Sequence, residues 1–171
     1  MTRIGIISDT HGLLRPEALA FLEGCRHIVH GGDIGTADIL ARLSSIAPVT
    51  AVRGNNDHGA WAEALGETEI VEIEGAAIYA IHDLAQIDIE PAAASVHVVV
   101  SGHSHKPAIE RRGDVLYLNP GSAGPRRFSL PIALAELEVG DGAIRGRIVE
   151  LGIGGAANVS GMTIDLRTSK S

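Results

Sequence analysis

Five short aliphatic runs in this chain end in aspartate, asparagine or histidine, four of them with glycine alongside. "IGIIS" leads to Asp9 and His11, "HIVHGG" to Asp33, "VTAVRG" to Asn55 and Asn56, "IYAI" to His82, and "VVVSG" to His103 and His105. Short β-branched and aliphatic runs closed by turn residues predict buried strands. In an open parallel sheet, ligands sit beyond the carboxyl ends of the strands, where the loops converge. A fold that lays these runs side by side therefore gathers their polar groups at one edge. Glycines next to them allow tight turns and a close approach to a bound group.

The order of elements narrows the fold. "RPEALAFLEGC" reads as a helix with Pro16 in its first turn, and "TADILARLSSI" as a second helix between the second and third strands. Strands alternating with short helices imply parallel pairing through crossovers. Beyond Gly59 the pattern becomes strand after strand: "ETEIVEIEG", "AAIYAIH", "VHVVVSG", "KPAIERRG", "VLYLNPG", "IALAELEVG" and "AIRGRIVEL", with one helix expected over "IEPAAAS". This half is expected to be mostly antiparallel. From Gly152 the sequence loses periodicity, so residues 1–151 are read as one domain. Residues 152–171 are read as a Gly/Ser-rich tail, with "MTIDL" able to dock weakly.

Composition excludes several classes. A chain of 171 residues is long enough to bury a core without covalent staples. Aromatic residues make up only 3% of it, so the core must be aliphatic and no base-stacking surface is expected. A net charge of −7 argues against broad electrostatic binding to nucleic acid. Cys25 is the single cysteine and cannot form an internal disulfide, which points to a reducing cytoplasm. No secretory leader is visible after Met1, and no apolar run reaches the ~18 residues of a membrane span, so no membrane association is expected.

Asp9, His11, Asp33, Asn55, His82, His103 and His105 are too many donors for one ion, since a transition metal takes about four to six ligands including water. They suit two ions sharing a carboxylate. Imidazole mixed with oxygen ligands, and no thiolate, selects Mn, Fe, Co, Ni or Zn over Ca or Mg. Two such ions about 3.5 to 4 Å apart are a device for transferring phosphoryl groups to water.

The ordered series DTH, GGD, GNND, His82 and GHSH resembles the signature of the calcineurin-like metallophosphoesterase superfamily over about residues 3 to 150. The size and the "LYLNPGSAGPRR" segment are most similar to the small prokaryotic YfcE-like phosphodiesterases. The resemblance implies a four-layer αββα sandwich of two mixed sheets flanked by helices, and a dinuclear centre favouring Mn. Carried over by motif, Asp9, His11 and His105 hold one ion; Asn55, His82 and His103 hold the other; Asp33 bridges. The implied activity is hydrolysis of a small phosphate ester, diester favoured over monoester, by a metal-bridging hydroxide. Two other readings share the fold. One is a non-catalytic interaction scaffold like the small subunit of eukaryotic retromer, and the other is a metal-dependent nuclease. The complete donor set argues against the first. Net acidity and scarce aromatics argue against the second.

Two positions depart from the superfamily pattern. Asn56 stands where many members have a histidine that protonates the leaving group, and Asp83 follows His82 where many have glycine. The general acid is thus unassigned, with His58 a weak candidate. Asn56, Arg126 and Arg127 are candidate substrate contacts, because a guanidinium at the rim binds phosphate fork-wise. Arg111 and Arg112 are read as solvated residues of a hairpin turn, and His30 as a core or supporting residue. An aliphatic edge strand leaves room for a homo-oligomer.

Overall fold

The structure, a computed structural model, describes residues 1–152 and 159–165. In chain order the elements are β1 (Thr2–Ile7), α1 (Pro16–Leu22), β2 (His27–His30), α2 (Ala37–Ser44), β3 (Val49–Ala51), α3 (Ala60–Glu63), β4 (Thr68–Ile73) and β5 (Ala76–Ile81). A single 3-10 turn (Leu84–Gln86) follows. Then come β6 (Val98–Val100), β7 (Ala108–Arg112), β8 (Val115–Asn119), β9 (Ala133–Gly140), β10 (Ala143–Glu150) and β11 (Val159–Asp165). They form one sheet ordered β11-β10-β9-β1-β2-β3 and a second ordered β4-β5-β6-β8-β7. Both are mixed. β1, β2 and β3 run parallel, as do β5, β6 and β8, and the flanking strands pair antiparallel.

The sheets pack face to face through an aliphatic core. Ile4, Ile6 and Val29 from the first sheet meet Ile78, Val98, Val100, Leu116 and Leu118 from the second, and no aromatic side chain belongs to this cluster. Period-two alternation sends the other residues outward. Ile7 and Ile28 lie under the helices, packed on Leu22 of α1 and on Ile39 and Leu43 of α2. Pro16 begins α1 with its φ already set for a helix. Ile39 and Leu43 are four apart and share the buried face of α2. On the second sheet Tyr79, Val99 and Val115 are covered by Leu84, Ile87 and Ile89. The two mixed sheets and their covering layers are the expected α/β sandwich.

Three local features add to or depart from the sequence reading. "IEPAAAS" forms consecutive turns, with Ala94 N donating to Glu90 O at 3.0 Å and Val96 N to Pro91 O at 2.9 Å. Pro91 disfavours helical backbone at Glu90 and leaves too few residues to nucleate a helix before β6. The fourth layer is therefore a 3-10 turn and a series of turns. The second half is mostly antiparallel, as expected, but the Leu84–His97 excursion and the intervening β7 act as crossovers that bring β6 and β8 in parallel. The four-residue α3 had no counterpart in the pattern.

Within the segment read as a tail, Val159–Asp165 pairs antiparallel with β10, from Val149↔Val159 to Ala143↔Asp165. Ile164, 2% exposed, joins the core between the sheets. The remainder of that segment, residues 153–158 and 166–171, lies outside the described residues.

Candidate metal centre

The parallel strands of both sheets point their carboxyl ends at one place. β1 delivers Asp9 and His11, β2 Asp33, β3 Asn55, β5 His82, and β6 His103 and His105. The backbone there is unusual. Asp9 (φ 53°), His11 (46°), Asp33 (55°), His103 (69°) and His105 (61°) all adopt left-handed conformations. Each costs on the order of 1 kcal/mol for a residue with a Cβ. Cross-loop hydrogen bonds hold them: Asp9 N to Gly32 O (3.0 Å), His11 N to Asp33 O (2.9 Å) and Gly102 N to His82 O (2.9 Å). Two glycines have no alternative. A Cβ on Gly54 would stand 2.1 Å from Asp33 N, and one on Gly102 2.1 Å from Ser8 Oγ.

The donors converge in two overlapping groups. Asp9 Oδ1 lies 3.3 Å from His105 Nε2 and 3.8 Å from His11 Nε2, and the two ring nitrogens are 3.2 Å apart. Asn55 Oδ1 lies 3.0 Å from His82 Nε2 and 3.3 Å from His103 Nδ1. Asp33 Oδ2 stands between the groups, 3.7 Å from His11 Nε2 and 3.4 Å from His82 Nε2. Ligand atoms of Asp9, His11 and His105 all lie within 4.8 Å of one another, as do those of Asp9, Asp33 and His82.

This arrangement fits divalent cations. Asp9 Oδ1 and His105 Nδ1 are buried without a hydrogen-bond partner. A bare buried carboxylate oxygen costs several kcal/mol unless a cation or donor meets it, on the order of 1 to 3 kcal/mol even for a neutral group. An ion among Asp9, His11 and His105 would satisfy Oδ1 and the Nε2 atoms of both rings; His105 Nδ1 is not the nitrogen that faces it. His82 Nδ1 lies 2.7 Å from Gly31 O and donates to it, so in the neutral ring the Nε2 lone pair points at the site, while in the protonated ring Nε2 donates to Asp33.

Supporting contacts fix these side chains. Ser8 Oγ donates to Asp9 Oδ2 at 2.7 Å, and His103 N donates to the same oxygen at 3.1 Å. Asp57, buried, accepts from Gly54 N (2.8 Å) and Gly35 N (3.0 Å) and so ties the asparagine loop to the β2 loop. Asn119 Nδ2 donates to Gly102 O (2.9 Å) and Ser104 Oγ (3.1 Å), which pins the histidine loop. Sequence reading missed both roles. The signals present were an acid three residues after Gly54, and "NPG" directly after a strand.

The two acids differ. Burial alone would raise Asp33, but hydrogen bonds from His82 and from the backbone and side chain of Asn56 outweigh it and hold the carboxyl well below the usual range. Asp9 moves the other way, raised chiefly by burial. Burial would lower His82, and its contacts with Asp33 and Gly31 reverse that. His30 is pushed down to about 3 by burial. It accepts from Gly32 N at Nδ1 (3.1 Å) and meets Thr10 Oγ1 at 3.0 Å through Nε2, a supporting position.

Among the candidate substrate contacts, Asn56 turns inward, its Nδ2 donating to Asp33 Oδ2 at 2.9 Å. His58 is exposed and lines a cleft of about 490 Å³ that Asn55, His82 and His103 also line. Arg126 and Arg127 are exposed, and the charge of Arg127 adds to burial in lowering His105. Asp83 accepts from Ala85 N at 3.0 Å, capping the 3-10 turn, and its other oxygen lies 4.0 Å from His103 Nε2.

Comparison with known proteins gives the family and the fold. The calcineurin-like phosphoesterase superfamily domain matches residues 2–142. A probable metallophosphoesterase of Methanothermobacter thermautotrophicus is 36% identical over 141 residues, covering 75% of this chain and 81% of the relative. The phosphodiesterase YfcE of Escherichia coli K12 is 27% identical over 169 residues, covering 81% of this chain and 88% of YfcE. In structure, Vps29 of Chaetomium thermophilum superposes with a TM-score of 0.81 at 19% identity, over 96% of this chain and 99% of Vps29.

Proposed function

The chain belongs to the calcineurin-like phosphoesterase superfamily, and from that premise we propose that it is a phosphodiesterase holding two divalent transition-metal ions. Asp9, His11 and His105 hold one ion, Asn55, His82 and His103 the other, and Asp33 is shared. The observation that carries this reading is the position of Asp33 Oδ2, within 3.7 Å of His11 Nε2 and 3.4 Å of His82 Nε2. Mn suits the mixed nitrogen and oxygen donors, with Fe, Co, Ni and Zn as alternatives. Bound there, a pair of such ions supplies Lewis acidity toward both a water nucleophile and the phosphate oxygens.

The chain's own residues set the rest. Asp33 remains ionised through neutral pH, because Asn56 and His82 hold it so. The amide of Asn56 can donate a hydrogen bond but no proton at useful pH, so no side chain at that position protonates a leaving group. Arg127, at the rim near His105, offers a fork of donors to a phosphate oxygen. The substrate is a small phosphoester, diester before monoester. No helix among the described residues is long and apolar enough to cross a membrane. Cys25 is buried and unpaired, which suits a reducing cytoplasm.

The Vps29 likeness is one of fold and supports an interaction scaffold only to that extent. A scaffold has no physical need for seven converging donors. Elemental analysis after Mn loading distinguishes the readings: two equivalents per chain are expected, and saturation at one or fewer would overturn the dinuclear assignment. Turnover of bis(p-nitrophenyl) phosphate should appear with loading.

A further inference from the structure

A groove of about 280 Å³ leads away from the metal centre. It begins at His103 and Ser104 and extends along the outer face of the second sheet to Tyr117 and Arg112, with Lys106 and Leu84 also lining it. Asn119 anchors its near end by donating to Ser104 Oγ at 3.1 Å. Tyr117 is two positions before Asn119 on β8, so both side chains share a face, about 7 Å apart. Glu110 lies opposite Tyr117 across the hairpin.

The far end is a built platform. The Arg112 guanidinium sits 4.2 Å from the centroid of the Tyr117 ring. Glu110 holds it from the side at 3.1 Å. Arg112 was expected to be a solvated residue of the hairpin turn; its side chain is 53% exposed, and in addition its guanidinium lies over a ring. A guanidinium held this way stacks well on a planar ring. Lys106 brings a positive charge between platform and metal centre, and no carboxylate pairs with it among the described residues. On the other side of His103 the larger cleft carries Asp57, Glu67 and Asp88 against Arg53, with Asp83 lining both spaces, so the net negative charge of that cleft repels an anionic arm.

We propose that this groove is the subsite for one ester arm of the phosphodiester, and that the arm is a nucleoside. Its base stacks on the Arg112–Tyr117 platform, its sugar spans the step from Tyr117 to Asn119, and its phosphate lies at His103. The occupant is a single nucleoside and not a strand. The groove has one aromatic residue, and the acidic cleft beyond the centre is unfavourable to a polyanion. This assignment rests on the phosphodiesterase reading above for its reaction, although not for its binding.

Two measurements on the Mn-loaded protein test it. The first compares p-nitrophenyl thymidine 5′-phosphate with methyl p-nitrophenyl phosphate, which share a leaving group and differ in the other arm. Stacking of one base predicts kcat/KM about tenfold or more higher for the nucleoside ester, mainly through KM. R112A, on the surface, and Y117L, which keeps the apolar volume, should each erase most of that preference and leave the methyl ester unchanged. The second is calorimetric binding of a non-hydrolysable nucleoside phosphonate against methylphosphonate. Tighter binding of the nucleoside compound, lost in R112A, with no diester turned over would sink the activity and keep the subsite. Turnover without discrimination between the two esters, or a preference that survives both substitutions, would overturn the subsite.

Discussion

The two donor groups are built from similar residues but stand in different surroundings. Asp9 and His105 are buried and His11 nearly so, its side chain 17% exposed. In the other group His82 is buried, but Asn55 is exposed and the His103 side chain is 47% exposed. The inner group is enclosed by Ser8, Ser122 and the first-sheet loops; the outer one opens on the large cleft. Burial removes competing water and strengthens every charge interaction. The inner ion should therefore be retained more tightly, and the outer one should exchange and face the substrate.

Removing what the groups share has the largest effect. Asp33→Asn takes the charge from the shared oxygen, and kcat should fall by at least about 10³-fold, comparable to the loss of a principal electrostatic stabiliser. Metal content should drop at both positions together. Retention of one full equivalent would show that Asp33 belongs to one group only.

The next effect sharpens the role of the outer side. Replacing Asn56 by histidine puts a proton donor where the amide now stands, and acid catalysis is worth about 10² to 10⁴ for poor leaving groups. Asn56→His should speed alkyl esters far more than aryl esters and flatten the dependence of rate on leaving-group pKa. That dependence is expected to be steep in the unmodified protein. A shallow one would mean that a donor already exists, and His58→Ala would identify it by steepening the slope. Because Asn56 also holds Asp33, the same substitution should weaken metal retention somewhat.

Much of this was legible in the sequence because each donor directly follows a strand, where position in the chain fixes position in space. The period-two runs and the helices around Leu22 and Leu43 were readable for the same reason: burial follows the pattern. Three features were not. "IEPAAAS" has helical composition, but Pro91 and the approach of β6 break it into turns. Asn119 and Asp57 look like ordinary turn residues until folding brings Ser104 and Gly35 to them. The inward turn of Asn56 depends on Asp33, 23 residues earlier, and local pattern carries no record of it.

A chelator tests the inner-outer contrast directly. Stripping of the loaded protein should proceed in two phases of about one equivalent each, separated by roughly 10- to 100-fold in rate if the enclosing contacts count as outer-shell support usually does. His103→Ala should abolish the fast phase, and His105→Ala the slow one. A single phase, or the reverse assignment, breaks the comparison.

The smallest effect comes from the far face of the first sheet. Glu136 on β9, 1% exposed, receives the guanidiniums of Arg3 on β1 and Arg147 on β10, and so clamps the strand that carries Asp9. Burial would raise its pKa, but the hydrogen bonds from Arg147 and Arg3 outweigh that and lower it. A carboxylate whose folded pKa is depressed stabilises the protein above its unfolded pKa, about 4.3, and loses that contribution as pH falls through the folded value. Glu136→Gln should therefore cost about 1 to 2 kcal/mol at pH 7, limited by the partial exposure of both arginines, or roughly 2 to 8 °C in Tm. The deficit should begin to shrink as pH drops below about 4, where the unfolded chain takes up the proton, and vanish once pH passes the depressed folded value and the wild-type carboxyl is neutral. Since the clamp acts on β1, the slow chelation phase should quicken slightly and the fast one stay unchanged. Equal quickening of both phases would mean that β1 does not set the inner group apart.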